Sequence, residues 1–266
     1  MCRGLALRAQ RSSRAAVKGD TVLVAWKPNP AKAMHARRLI LAGGVAGALT
    51  IASGVLASDQ FAATFELTPS RTTPGSSAGL STHMTWSDPG EPGGKPREIK
   101  RIRLDFQRGT RFDTTALPRC RASNAKLRGL GPRACPRASQ VGSGATSVNN
   151  GTLPPFATRV TFFNADHQII VVVRSGTTVL AVFRDEVRGA TITINLKIPT
   201  GFALTELRAT LGAHSRRVGG RRRIYYRTPP GCPPTGHWTT TATFTYVDGF
   251  TQTVASSVPC AANASA

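Results

Sequence analysis

The sequence predicts an all-β protein: an immunoglobulin-like β-sandwich of roughly 10–12 strands, interrupted by one cysteine-bracketed insertion and preceded by a signal-peptide helix. Three observations carry this. Alternation of apolar and polar residues recurs throughout the chain after residue 60, while helical periodicity is almost absent. Glycine and proline punctuate the alternating runs at short intervals, as turns between strands require. Beyond residue 58 the cysteines are Cys120, Cys135, Cys232 and Cys260, an even set suited to a disulfide framework.

The N-terminal part is read separately. Leu39 to Ala57 is free of charge, follows Arg37-Arg38 and ends in Val55-Leu56-Ala57. Basic residues, an apolar run and small residues at its end make the pattern of a secretory signal peptide. Residues 34–57 are therefore the expected signal, with Met34 as a natural start and Ser58 as the first exported residue. Residues 1–33 form a basic extension, disordered or upstream of the true start. The alternative is an uncleaved anchor through 39–57 with the domain outside. A span needs about 20 apolar residues, and Gly43, Gly44, Gly47 and Gly54 make this run weakly hydrophobic. Residues 58–266 form the expected extracytoplasmic domain.

The strands follow in order. Ala63, Phe65 and Leu67 alternate with polar neighbours, as do Leu80, Thr82, Met84 and Trp86, then Ile102, Leu104 and Phe106. Phe156 to Phe162 reads the same way. Gln168–Val173 and Thr177–Phe183 are β-branched runs around Ser175-Gly176, a hairpin signal. Ala190 to Ile198, Leu204 to Leu211, Ile224 to Tyr226, Trp238 to Tyr246 and Phe250 to Val258 complete the series. Asp248-Gly249 suits a type I′ turn, which pairs the last two runs. Residues 114–140 lack strand character; Ser123 is placed to cap a helical turn there. Four cysteines allow three pairings. The most local, Cys120–Cys135 with Cys232–Cys260, is the one expected, and its first bridge would order the insertion.

Nine of the 35 basic residues and one of the 13 acids precede Ser58, which leaves 26 against 12 and a charge near +14. Such a surface favours anionic partners: envelope polymers, lipid head groups, acidic polysaccharide or nucleic acid. An arginine-rich composition also follows from high genomic GC content. The densest cluster is Arg216, Arg217, Arg221, Arg222 and Arg223 around Gly219-Gly220, with Tyr225 and Tyr226 beside it as possible stacking faces for a bound anion.

Catalytic signatures are weak. Gly75-Ser76-Ser77-Ala78-Gly79 fits G-x-S-x-G, but the strand before it and the helix after it that a nucleophile elbow needs are missing. Gly142-Ser143-Gly144 lacks the third glycine and βαβ context of a dinucleotide site. Asp185-Glu186 reads as a solvated pair at a turn beside Arg184 and Arg188. The histidines are scattered and no CxxC pair exists, so neither metal nor cofactor is expected.

Leu117-Pro118-Arg119-Cys120, Gly131-Pro132-Arg133-Ala134-Cys135-Pro136 and Val141-Gly142-Ser143-Gly144 resemble a group of uncharacterised secreted proteins of high-GC, actinobacterial type. The segment from Cys232-Pro233 through Trp238 and Phe244–Gly249 to Ser257-Val258-Pro259-Cys260 is similar to theirs as well. The resemblance implies an exported, disulfide-bonded β domain and no particular activity. The expected function is an exported, non-catalytic binding or structural module of the cell envelope. The alternative is a secreted hydrolase acting on glycans, with two carboxylates about 5 to 10 Å apart assembled from distant loops.

Overall fold

The computed structural model describes residues 61–261. The signal-peptide helix, the basic extension and the expected junction at Ser58 lie outside the described residues. Among the described residues no helix is long and apolar enough to cross a membrane.

The domain is mostly β, and the expected alternations set its strands. β1 (Ala62–Pro69) and β2 (Leu80–Ser87) pair in register, turning Phe65, Leu67, Leu80, Met84 and Trp86 inward. β3 (Ile99–Asp105) buries Ile102 and Leu104 and exposes Lys100, Arg101 and Arg103. The short β4 (Arg111–Phe112) precedes the insertion, which carries the one α-helix among the described residues, α1 (Asn124–Leu130). β5 (Gln140–Asn149), β6 (Phe156–Ala165), β7 (Gln168–Ser175), β8 (Thr178–Arg188) and β9 (Thr191–Asn195) form a meander. β10 (Ala203–Leu211) follows. Next come the ribbon strands β11 (Ser215–Val218) and β12 (Arg221–Ile224), the short β13 (Tyr226–Arg227), and the hairpin of β14 (His237–Tyr246) and β15 (Thr251–Pro259).

Eleven of these strands form one antiparallel sheet in the order β1-β2-β10-β5-β6-β7-β8-β9-β3-β14-β15. The sheet curls until β1 and β15 lie side by side, giving a barrel-like sandwich. The immunoglobulin-like division into two separate sheets is thus replaced by one continuous sheet. The cause is in the long-range pairings: β2 joins β10, and β3 joins both β9 and β14, so no pair of edges is left between two layers.

Ten antiparallel steps leave β1 and β15 running in the same direction, so the antiparallel ladder does not continue across their junction. A side chain closes it instead. Ser256 Oγ accepts the Leu67 N–H at 2.9 Å and donates to the Leu67 carbonyl at 3.3 Å. Ser256→Ala should therefore cost about 1–2 kcal/mol, read as a lower denaturant midpoint at unchanged slope. An unchanged midpoint would show that the junction is held without this hydroxyl.

β5 is a strand that the sequence reading leaves unassigned. Its Gly142 and Gly144 lie against β10 so closely that a Cβ would sit 2.2 Å from the Thr210 and Arg208 carbonyl oxygens respectively. Only glycine allows that approach, and the absent side chains erase the alternation.

The insertion lies over the outer face of β6–β8. Ser123 caps α1 as expected, accepting the Lys126 N–H at 3.3 Å. Leu127 is buried with Phe163, Ile170 and Val172, the outward residues of β6 and β7. Covered on both faces, β7 reads as a continuous apolar run, Ile169 to Val173. Buried Asn164 donates from Nδ2 to the carbonyls of Thr114, Leu117 and Pro118 at 3.0–3.1 Å, fixing the start of the insertion. The disulfides are Cys120–Cys135 and Cys232–Cys260, the local pairing. Two bridges fit an oxidising, extracytoplasmic environment.

The last two runs pair as expected, with Trp238 opposite Val258. Its turn differs: Gly249 alone has positive φ, +89°, while Asp248 does not. Gly249 N–H bonds the Tyr246 carbonyl, and Asp248 Oδ1 accepts the Phe250 N–H. The extra residue between Tyr246 and Phe250 makes this a turn followed by a left-handed glycine rather than a two-residue I′ loop.

Candidate functional site

One end of the barrel is filled and the other is open. The filled end is closed by Phe106, Phe112 and Tyr226, with ring centroids 5.0–6.4 Å apart, and by Tyr225. Tyr225 and Tyr226 are 0% and 3% exposed. This corrects their expected role: they are the floor of the barrel and offer no surface on which an anion's rings could stack. The reason is local, because β13 turns back beneath the sheet to pair with β4. Burial in this floor raises both phenols well above the ordinary tyrosine range.

The open end leads into a cavity of about 300 Å³. On the far side of the barrel, Phe65, Met84, Trp86 and Phe244 fill the interior, with Trp86 edge-on to Phe244 at 5.4 Å. On the near side the inward positions of β5–β8 include the smaller Thr146, Thr158, Val160, Val173 and Ala181, and these leave the space. The rim carries Phe156, edge-on to Phe202 at 6.2 Å, and Leu180, half of whose surface is exposed. The rim loop between β9 and β10 is tied down by Glu98, which accepts from Lys95 Nζ at 2.8 Å and from the Gly201 N–H at 2.9 Å. The Lys95 ammonium, helped by the Gly201 N–H, holds the Glu98 carboxyl below the ordinary glutamate range despite partial burial.

The polar groups of the cavity are few. The Thr146 and Thr158 hydroxyls bond each other at 2.7 Å. Lys197 stands at the solvent-exposed rim. Deeper lies Asp185, 3% exposed, the one carboxylate among the lining residues. It also borders a smaller void of about 70 Å³ toward the floor. Its Oδ1 is buried without a hydrogen-bond partner among the described residues. Burial among apolar side chains pushes its carboxyl well above the ordinary aspartate range.

This placement overturns the reading of Asp185-Glu186 as a solvated pair at a turn. β8 runs on to Arg188, and its two-residue period separates the neighbours. Ala181, Phe183, Asp185 and Val187 share the inner face. Arg184 faces out, donating to Asn124 Oδ1 at 2.9 Å and to the Ala122 carbonyl at 2.7 Å, while Glu186 pairs with Arg188 at 2.6 Å. The signal for Asp185 was in the sequence: it continues the apolar alternation of Phe183 and Val187.

The arginine cluster is brought together, at the end of the barrel opposite the cavity mouth. Gly219 and Gly220, with φ of +57° and +76°, make the two-residue turn of an exposed ribbon. Arg216 stands opposite Arg223 and Arg217 opposite Arg222. Arg223 reaches Asp113 Oδ2 at 3.5 Å and the Thr115 hydroxyl. Gly75–Gly79 lies in the β1–β2 loop, where Ser77 bridges to Arg227, with no helix after it. His83 bonds Glu206 at 2.8 Å on the outer face. Among the described residues, no group of three or more histidine, cysteine or acidic side chains is placed to hold a metal ion.

No protein-family model and no curated protein matches the chain. A solved structure described as "AvmM Catalyzes Macrocyclization in Alchivemycin A Biosynthesis" is similar over 76% of this chain and 89% of that one, at 9% identity and a TM-score of 0.27. A likeness at that level carries neither fold nor function across.

Proposed function

We propose that this protein is an exported, non-catalytic binding module of the cell envelope that holds a small apolar molecule inside its barrel. The observation that supports this reading is the 300 Å³ cavity, with its apolar wall and exposed apolar rim. Binding sites of this kind are concave, largely preformed and mainly apolar, with volumes of about 300–1,000 Å³. The disulfides and the charge-free run after Arg37-Arg38 support export, with the resemblance to secreted actinobacterial-type proteins as its sequence counterpart. The glycan-hydrolase alternative needs two facing carboxylates, and the cavity wall contributes one, Asp185. The neutral fluorophore N-phenylnaphthylamine should brighten on binding the described domain, and Ala181→Trp, which places an indole in the cavity, should abolish the effect. Equal brightening by both proteins would place the dye elsewhere and end this reading.

The ribbon supports a second contact, with an anionic envelope polymer or lipid head group. Like charges directly opposite each other on paired strands are destabilising, and a polyanion that meets Arg216, Arg221 and Arg223 on one face of the ribbon, or Arg217 and Arg222 on the other, relieves that repulsion. Binding to vesicles containing an anionic lipid should fall steeply with salt, because exposed charges are screened over about 8 Å at physiological ionic strength. Replacing Arg221, Arg222 and Arg223 together with serine should weaken it severalfold without unfolding the domain. No binding at low salt would make the charge compositional.

A further inference from the structure

We propose that Asp185 selects the occupant of the barrel: an apolar molecule whose inner end carries a neutral hydrogen-bond acceptor, such as a ketone or ester oxygen, to which the Asp185 carboxyl donates its O–H. This rests on the cavity being a binding site and names the chemistry of its ligand.

Three observations carry it. Asp185 lies on the inner face of β8, beyond Ala181 and Phe183 from the mouth, so it meets the deep end of anything that enters. Its Oδ1 is buried and without a partner among the described residues, in a wall of Phe162, Ile194 and Leu207. A buried polar atom left unsatisfied is unfavourable until something bonds it, and a ligand is what the cavity admits. The third is the poverty of the surroundings. The two threonine hydroxyls bond each other, and Lys197, the other charged residue of the wall, is at the exposed rim. A primary ammonium head brings three donors and would leave most of them unsatisfied in this wall. A carbonyl oxygen is satisfied by one O–H, and a protonated carboxyl supplies one. Burial favours that protonated form.

The test uses three molecules of one shape: tetralin, its ketone α-tetralone and its amine, aminotetralin. Their affinities are measured by calorimetry or competition with wild type, Asp185→Asn and Asp185→Leu. Leucine has the same branching as aspartate and no donor; asparagine keeps an N–H donor. The quantity read is the ratio of ketone to hydrocarbon affinity in each protein relative to that in Asp185→Leu, which cancels the ketone's greater affinity for water. One hydrogen bond makes this ratio roughly five- to tenfold larger in wild type, and Asp185→Asn should retain much of it. A ratio unchanged by Asp185→Leu, with tetralin still bound, overturns the assignment and leaves the apolar cavity standing. A larger gain for aminotetralin than for the ketone overturns it in favour of an ion pair. Binding of none of the three overturns the cavity reading and this one together.

Discussion

Replacing Asp185 with leucine should stabilise the folded protein by about 1–3 kcal/mol at pH 7, the usual penalty of a buried polar group without a partner. The leucine matches the aspartate in branching and sits between Phe183 and Val187 on the inner face of β8. The sign with pH follows from burial. The folded carboxyl binds its proton more tightly than the unfolded one, so wild-type stability falls as pH rises from the ordinary aspartate range, about 3.9, through the folded value. The leucine variant lacks this decline. Its advantage should be smallest near the acid end and grow with pH over that window. Denaturant unfolding of both proteins across pH measures it. A variant less stable than wild type, or a gain flat with pH, would mean that the carboxyl is stabilised by a partner in the fold. A residue that lowers stability in an otherwise apolar wall is what a ligand-recognising group looks like.

Removal of the Cys232–Cys260 bridge should have the larger effect, a loss of about 3.5 kcal/mol in the chain-entropy description for a loop of this size. The bridge spans 28 residues and links the approach to β14 with the residue just after β15. Its consequences are mechanical as well. β15 is hydrogen-bonded in the sheet to β14, and its other flank meets β1 through Ser256. Without the bridge the end of β15 is held on one side by its ladder with β14 and beyond it by contacts such as the Cys260 N–H to the Gly236 carbonyl, 2.9 Å. Amide exchange in β15 should accelerate before exchange in β6 and β7, which are paired on both sides. A double serine variant that loses less than about 1 kcal/mol, against the usual 2–5 for a small secreted domain, would show that the ladder alone secures this end.

The strands were legible because alternation is a direct imprint of one buried face. Leu80, Met84 and Trp86, or Ala242, Phe244 and Tyr246, are inward where their spacing puts them. The local disulfides and the Ser123 cap were legible for the same reason: the partners are near in sequence. What was hidden depends on partners far away. Nothing in β2 announces β10, so one curled sheet and two stacked sheets present the same alternating runs. β5 was hidden by Gly142 and Gly144, which serve the approach of β10 and contribute no side chains to a pattern. Tyr225 and Tyr226 read as exposed because arginines precede them, whereas the chain entering β13 carries them under the barrel. Asp185 was masked by Arg184 and Arg188, although those neighbours point the other way. The cavity itself is a deficit of volume on β5–β8, a quantity defined only once opposite walls face each other.

The closure of the sheet obeys a parity rule. A ring of strands that alternate in direction closes without conflict when their number is even; eleven is odd, so one mismatched joint is obligatory wherever the ring is cut. In this ring the joint falls between β1 and β15, half a circumference from β6 and β7, which wall the cavity. The conflict is thereby assigned to the side packed solid with Phe65, Trp86 and Phe244. The cavity wall keeps its antiparallel pairing throughout, with only local register shifts at Val173–Arg174 and Leu204–Glu206, and the change of direction lies in the back of the cup.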